Sequence, residues 1–402
     1  MYTVWLRYIG FCILLHLYLV HALGLGWPGV ETIRMAVLAV CAVMLAMPFV
    51  ARRFEDAGRF FAARTVAAVN APYMVMLTWY CALALAMELW NLALRHAATG
   101  HPGAARWVLT PRPALGVIAL IVAAAAIWSV YEAGRVRLKR ATFHSVRVRR
   151  TVRILQISDL HLGLLTRRRA LMRVLRLMEQ THADLIVSTG DLVDGALEHL
   201  EPLAAEMARI RPRLGKFAVL GNHEFYAGIE GSIAFLNAAG FRVIRGECVR
   251  LPEGIHLVGV DDPTGHRFDG NSKSDENHAL PRRSRREVIV LLKHRPTINE
   301  SAVGKFDLQL SGHTHGGQIS TDKLVNVAYP LRTGLRHIDE ETASYVSRGT
   351  GTWGAPMRLF SPPELTLITL EPASRRPRNL RRRWVSRLGL VRRLRARLQR
   401  KT

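Results

Sequence analysis

The chain has 402 residues, of which 49% are hydrophobic and 22% charged, so it is too apolar for a disordered chain and too long for one small domain. Its formal net charge of +25 comes from 56 Lys and Arg against 31 Asp and Glu. This charge favours an anionic partner, such as a phosphate-bearing substrate, an anionic membrane or nucleic acid. The four cysteines have no spacing that indicates a disulfide framework or a cysteine-based zinc site.

The first 134 residues predict a transmembrane anchor of about four helices. Each of four apolar runs is near the roughly 20 residues that cross the hydrocarbon core of a bilayer. The runs are residues 8–25, 33–50, 66–89 and 114–131. The first run has no clear signal-peptide cleavage pattern, and three more runs follow it.

Loop charge predicts the orientation of this anchor. The first connection, residues 26–32, has no Lys or Arg, whereas the second holds four arginines and the stretch after the fourth run holds eight basic residues. By the positive-inside rule, both ends of the anchor and all residues after the fourth run are expected to lie in the cytoplasm. Three arginines in the third loop weaken this prediction without reversing it. We expect residues 135–151 to be a basic juxtamembrane linker.

From residue 152 the pattern alternates between strand-like and helix-like runs, which predicts a mixed α/β domain over residues 152–371. Residues 372–402 predict a basic amphipathic or disordered tail, because thirteen basic residues between 375 and 401 alternate with apolar ones at helical spacing. Such a segment suits an anionic bilayer surface. Nucleic acid is the alternative partner, and we expect the membrane instead.

Polar motifs follow five of the strand-like runs. Because strand ends converge on one rim of an open α/β sheet, these motifs should lie close together. They are Asp159-Leu160-His161, Gly190-Asp191-Leu192-Val193-Asp194, Gly221-Asn222-His223-Glu224, Lys293-His294-Arg295-Pro296 and Gly312-His313-Thr314-His315.

The residue types in these motifs predict a metal site. Carboxylate, imidazole and amide oxygen without thiolate make a site for a borderline-hard divalent ion, and Mn, Fe and Zn all suit these ligands. The ligands are too many for one tetrahedral ion, so two ions are expected. Two ions about 3.5–4 Å apart can hold a bridging hydroxide and clamp both oxygens of an in-line phosphoryl displacement.

Together, the motifs resemble the pattern D-x-H, G-D-x-x-D, G-N-H-[DE], H, G-H-x-H of the calcineurin-like metallophosphoesterase superfamily, over residues 152–370. Residues 308–318 and 357–365 look like its bacterial membrane-associated branch. That branch includes phosphodiesterases and a pyrophosphatase acting on UDP-2,3-diacylglucosamine in lipid A synthesis. The resemblance implies a four-layer fold in which two packed β-sheets are flanked by helices.

The resemblance also implies a role for each motif residue. Asp159, His161 and His315 would hold the first metal. Asn222, His294 and His313 would hold the second, with Asp191 bridging both. His223 would not bind metal and would instead protonate the leaving oxygen or stabilise the transferring phosphoryl group, while the bridging hydroxide would attack.

Asp194 and Glu224 are expected to support these residues rather than bind metal. Ser/Thr protein phosphatases of the superfamily carry D-R-G where this chain has Asp194-Gly195-Ala196, which argues against protein phosphatase activity.

The expected protein is a metal-dependent phosphohydrolase of the bacterial inner membrane, with its site on the cytoplasmic side. It would cleave a phosphodiester or pyrophosphate bond of a lipid-linked substrate. The alternatives are a nuclease or cyclic-nucleotide phosphodiesterase on the same fold, and a non-catalytic membrane scaffold.

Overall fold

The computed structural model describes residues 2–26, 31–268, 270, 272–284, 286–320, 329 and 331–373. Contacts divide the chain into two compact units, Met1–Glu132 with Gly354–Leu359, and Ala133–Trp353 with Phe360–Thr402. The predicted tail lies outside the described residues from residue 374 onward.

The first unit is built from four long helices. They are α1 (Tyr2–Gly26), α2 (Glu31–Asp56), α3 (Phe60–Ala98) and α4 (Pro111–Ala133). All four are long and apolar enough to cross a membrane, which confirms the prediction of four apolar spans. The 39 residues of α3 extend for about 58 Å, nearly twice the thickness of a bilayer core.

Polar side chains in these helices find partners within the first unit. The Tyr18 hydroxyl donates to Glu88 Oε1 at 2.6 Å, and Asn70 Nδ2 donates to Met44 O at 2.8 Å. Asn91 donates to Leu109 O at 2.9 Å and accepts from Leu109 N at 2.8 Å. These bonds join different helices or a helix and a loop, as polar groups in apolar surroundings require.

The second unit contains two six-stranded mixed sheets and five α-helices in its described part. The strands are β1 (Arg137–Ser145), β2 (Val152–Ile157), β3 (Leu185–Ser188), β4 (Lys216–Ala218), β5 (Arg242–Val243), β6 (Glu247–Leu251), β7 (Ile255–Gly259), β8 (Val288–Leu292), β9 (Leu308–Ser311), β10 (Gly334–His337), β11 (Ala343–Val346) and β12 (Glu364–Pro372). The helices are α5 (Arg168–Glu179), α6 (Glu201–Ala208), α7 (Asn222–Ala227), α8 (Ile229–Ala238) and α9 (Glu276–Ala279). The sheet orders are β1-β12-β2-β3-β4-β5 and β10-β11-β9-β8-β7-β6.

Alternation along the strands separates the apolar layers, because successive side chains of a strand point to opposite faces. Ile154 packs in the core between the sheets with Val290 of β8, whereas its neighbour Leu155 packs with Leu171 of α5. On the outer face of the second sheet, Ile289 packs with residues that include Ala279 of α9. The predicted fold of two packed sheets flanked by helices is confirmed.

Strand β1 is the main difference from the sequence-based expectation. Residues 135–151 were expected to be a linker, yet β1 pairs in parallel with β12 over nine residues. Arg137, Lys139 and Arg140 are exposed on this edge strand, where charge discourages pairing with other chains. Further along, the buried Arg147 donates to Asp307 Oδ1 at 2.8 Å. All of the expected linker therefore belongs to the second unit.

Candidate metal centre

The carboxyl ends of five strands position the motif residues. Strands β2, β3 and β4 run parallel in one sheet, and β8 and β9 run parallel in the other. The turn after each of these strands carries one motif, and Asn222 begins helix α7 after β4. Neighbouring parallel strands thus bring distant parts of the sequence to the same sheet edge.

The first group of side chains comprises Asp159, His161 and His315. Each offers one ligand atom, and these atoms all lie within 4.8 Å of one another. His161 Nε2 lies 3.1 Å from His315 Nε2, and His315 Nε2 lies 3.6 Å from Asp159 Oδ1. All three residues are buried.

The second group comprises Asp191, His294 and His313. His294 Nε2 lies 3.0 Å from Asp191 Oδ2 and 3.0 Å from His313 Nδ1. His294 Nδ1 lies 2.9 Å from Thr189 O. Because a carbonyl oxygen can only accept, Nδ1 carries a proton, and Nε2 is the ring nitrogen directed at Asp191 and His313.

Asp191 connects the two groups. Its Oδ2 atom, 3.0 Å from His294 Nε2, is also 3.8 Å from His161 Nε2. Burial would raise the pKa of Asp191, but the charge of His294 and its hydrogen bond hold that pKa well below the usual range. The carboxylate is therefore kept ionised between two sets of imidazole nitrogens.

The donor set fits divalent cations. Asn222 is buried, and its Oδ1 atom has no hydrogen-bond partner among the described residues, as expected of an oxygen that serves as a metal ligand. The site also attracts positive charge. Burial lowers the pKa of His294, but the negative charges of Asp191 and Asp159 outweigh this effect and raise the pKa to about 10. Burial is the larger cause and repulsion from the charge of His294 the smaller one, and together they lower the pKa of His313 to about 3.

His223 lies beside these groups, on helix α7. Its ring contacts that of His161 edge to face, with centroids 4.6 Å apart, and its Nδ1 atom lies 2.9 Å from Asp194 Oδ1. His161, Asp194 and His223 form a third set of close ligand atoms. Burial lowers the pKa of His223, but the hydrogen bond to Asp194 and nearby carboxylates raise it to about 9. Asp194 therefore favours the protonated imidazole.

Glu224 holds the backbone of the site. Its buried carboxylate accepts hydrogen bonds from the N–H groups of Asp191, Leu192, Val193 and Gly221 at 2.6–3.3 Å. These bonds join the turn after β3 to the start of α7. The expectation that Glu224 supports the site locally agrees with this arrangement.

The backbone of the candidate ligands is unusual. Five of them have positive φ angles between 49° and 69°, in the left-handed region that non-glycine residues rarely occupy. They are Asp159, His161, Asp191, His313 and His315. Such conformations persist where surrounding contacts over-determine them, and they cluster at functional sites.

Ser158 and Tyr329 contact side chains of the candidate ligands and were not predicted. Ser158 Oγ donates to Asp159 Oδ2 at 2.5 Å, and the Tyr329 hydroxyl lies 2.7 Å from His313 Nε2. Ser158 directly precedes a motif residue, so its position was a usable signal. Tyr329 lies sixteen residues after His313, and nothing in its local sequence indicates the contact.

Comparison with known proteins identifies the family. The model of the calcineurin-like phosphoesterase family matches residues 152–317. An uncharacterized metallophosphoesterase of Aquifex aeolicus is 40% identical over 222 residues, which cover 55% of this chain and 85% of that protein. The chain belongs to the calcineurin-like metallophosphoesterase family.

Two other relatives of this metallophosphoesterase have more descriptive names. A transmembrane protein with metallophosphoesterase domain from Bos taurus is 31% identical over 324 residues, covering 75% of this chain and 72% of that protein. The UDP-2,3-diacylglucosamine pyrophosphatase LpxG of Chlamydia trachomatis is 29% identical over 280 residues, covering 54% of this chain and 83% of that protein.

The family resemblance inferred from the motifs is therefore confirmed. The protein is a metal-dependent phosphoesterase that uses divalent ions and acts on a phosphoester. Its four apolar helices and its Bos taurus relative indicate a membrane protein.

Proposed function

We propose that this metallophosphoesterase holds two divalent ions. Asp159, His161 and His315 would bind one ion, and Asn222, His294 and His313 the other. Asp191 would bridge them. The observation that supports this assignment best is the position of Asp191 Oδ2, 3.0 Å from a nitrogen of one group and 3.8 Å from a nitrogen of the other. Mn, Fe and Zn all suit the ligand types.

The bound ions would supply a deprotonated water near neutral pH and offset the charge of the phosphoryl group. His223 would act on the leaving group. Its Nδ1 atom faces Asp194, so its proton would be transferred from Nε2. As the bond from phosphorus to the leaving oxygen breaks, that oxygen takes the proton and leaves as the hydroxyl group of an alcohol or of a phosphate monoester. Asp194 keeps the ring oriented and protonated before this step.

Asp191→Asn tests the two-ion assignment. The variant should lose hydrolysis of bis(4-nitrophenyl) phosphate, and mass spectrometry should find fewer than two ions per chain. Asp184→Asn is the matched control, because Asp184 directly precedes β3 at its amino end, whereas Asp191 follows its carboxyl end. Full metal content and wild-type turnover in Asp191→Asn would refute the assignment.

The proposed substrate is a phosphodiester or pyrophosphate on a lipid-linked molecule, with UDP-2,3-diacylglucosamine as a specific candidate. Two observations support it: the four candidate membrane spans, and a relative named for that pyrophosphatase activity. Incubation with UDP-2,3-diacylglucosamine should give UMP and the acyl sugar 1-phosphate. Faster turnover of DNA, RNA or a cyclic nucleotide would favour a nuclease or cyclic-nucleotide phosphodiesterase instead.

The proposed location is a bacterial inner membrane, with the metal centre on the cytoplasmic side near the anionic lipid surface. The support is the distribution of Lys and Arg among the connections between helices and the net charge of +25.

A further inference from the structure

Three large aromatic side chains near His223 are exposed. Tyr226 is 55% exposed, Trp353 57% and Phe268 43%. Isolated exposed aromatic residues are common, but a contiguous group of them often marks a binding surface. We refer to Tyr226, Phe268 and Trp353 as the aromatic collar.

Ring contacts join the collar to His223. The Tyr226 ring lies edge to face with the His223 ring, with centroids 5.2 Å apart, and the Trp353 ring does the same at 5.9 Å. Phe268 extends the group, because its ring lies 5.6 Å from that of Tyr226. His223 is thus in contact with two rings that are both more than half exposed.

The collar is held by the same elements that carry the candidate ligands. Tyr226 lies on α7, three residues after His223. Trp353 comes from a loop, and two hydrogen bonds fix its backbone. Gln318 Nε2 donates to Trp353 O at 2.9 Å, and Trp353 N donates to Gln318 Oε1 at 3.0 Å. Gln318 follows His315 by three residues, so the Trp353 backbone is tied to the turn that carries a candidate ligand.

The position beside His223 indicates what the collar contacts. If His223 donates a proton to the leaving oxygen, the group attached to that oxygen must lie next to the His223 ring. That group would then contact Tyr226 and Trp353, whose rings offer apolar faces rather than charges or hydrogen-bond arrays. We propose that the aromatic collar binds an apolar leaving group and makes the enzyme select for it. This inference rests on the role proposed above for His223.

Three phosphodiesters test the collar: methyl phenyl phosphate, methyl 4-heptylphenyl phosphate and octyl phenyl phosphate. All three release a phenol of similar acidity, so intrinsic reactivity is nearly constant. The last two are isomers of similar overall apolarity, but the alkyl chain is on the leaving group in one and on the retained arm in the other. They would be assayed with the full chain in nanodiscs of zwitterionic lipid, below micelle-forming concentrations.

The wild-type enzyme should hydrolyse methyl 4-heptylphenyl phosphate with a kcat/KM at least about tenfold higher than that for either other substrate. Burial of one methylene contributes roughly fourfold, so this gain corresponds to about two methylenes. In Trp353→Ala and Tyr226→Ala, the ratio of kcat/KM for methyl 4-heptylphenyl phosphate to that for octyl phenyl phosphate should fall close to one. Trp353→Phe and Tyr226→Phe keep an aromatic ring and should retain most of the wild-type ratio. Because each ratio is measured within one variant, partial loss of folded protein cancels.

A binding measurement separates this inference from the proposed function. The difference in tryptophan emission between wild type and Trp353→Phe reports on Trp353, and methyl 4-heptylphenyl phosphate should change it more than its isomer does. Equal kcat/KM values for the two isomers in the wild type would refute the collar and leave the hydrolase intact. Absence of turnover with all three substrates would contradict a phosphodiester substrate, and the emission change would then decide whether the collar binds the apolar group.

Discussion

The proposed mechanism gives different roles to the neighbouring side chains of His223 and Asp194. In the proposed mechanism His223 touches the leaving group, whereas Asp194 contacts His223 Nδ1 at 2.9 Å and lies 3.6 Å from His161 Nδ1. Asp194 is therefore a positioning residue, and its effect should depend on how much help the leaving group needs.

Asp194→Asn should reduce kcat for methyl phenyl phosphate by about a hundredfold, within the range attributed to general acid catalysis. The loss should be much smaller for methyl 4-nitrophenyl phosphate, because 4-nitrophenolate leaves readily without a proton. Parallel kinetics with the two substrates check this. An equal loss for both would mean that Asp194 acts on the metal centre as a whole.

Gly221 is required by close packing. A Cβ atom at this position would collide with the carboxylate and the backbone nitrogen of Asp191. Gly221→Ala should therefore displace the proposed bridging carboxylate, lowering the metal content below one ion per chain and abolishing turnover. Gly103→Ala is the control, because a Cβ there meets no atom within 4 Å among the described residues. Normal metal binding by Gly221→Ala would contradict this reasoning.

Single residues were the most predictable part of the site. The strand-end motifs named Asp159, Asp191 and His313, and the structure brings these residues into the two ligand groups. Tyr329 and Trp353 could not be inferred, because nothing in their local sequence indicates which side chains they contact. The left-handed backbone conformation of five candidate ligands could not be predicted from the sequence either, since it follows from tertiary contacts rather than from residue type.

At the scale of elements, Lys216 joins the ends of two helices to strand β4. Its Nζ atom donates to Met207 O of α6 at 2.7 Å and to Ala239 O, just after α8, at 2.5 Å. The same atom lies 4.9 Å from the centroid of the Phe241 ring. Burial, with a smaller contribution from Arg211, lowers the pKa of Lys216 to about 8.

The lowered pKa of Lys216 predicts a pH-dependent stability. Between pH 8 and the ordinary lysine value of 10.5, the unfolded chain keeps a proton that the folded chain has released, so this residue makes unfolding less favourable as pH rises. Relative to Lys216→Met, the wild-type protein should gain stability from pH 7.5 to pH 9.5. Apparent melting temperatures of both proteins at the two pH values measure this difference, which removes the contribution of all other groups. A constant difference between the two proteins would contradict the prediction.

Strand β1 was not predicted, because its basic residues are untypical of a strand. The basic residues of β1 indicated a linker, because Arg137, Lys139 and Arg140 interrupt any apolar alternation. The strand forms nevertheless, since all nine of its residues pair with β12 and the edge of a sheet tolerates charge. The partner lies more than two hundred residues away, so no local pattern could reveal the pairing.

At the scale of the whole molecule, the four helices predict a topology that fusion reporters can map. Alkaline phosphatase is active only when exported, and it should be active when fused after His101 but inactive when fused after Gly58 or Gly134. Green fluorescent protein at the same positions should give the opposite pattern. Active alkaline phosphatase after Gly134 would contradict a cytoplasmic metal centre.

The family and the division into an apolar anchor and an α/β catalytic part were predictable because both leave strong signals: long apolar runs and a set of spaced motifs. The domain limits of 1–134 and 372–402 stay predictions. The role of the basic tail does so too, since residues 374–402 lie outside the described residues.

The place of β12 in its sheet bears on how the enzyme is made. β12 lies between β1 and β2, the first two strands of the catalytic part, and it is the last strand that the ribosome synthesises among the described residues. Until β12 emerges, β1 has no strand partner in this sheet and β2 is paired on one side only, with β3. The catalytic part must complete its folding late in translation or after it, so nascent chains stalled before Glu364 should remain sensitive to protease.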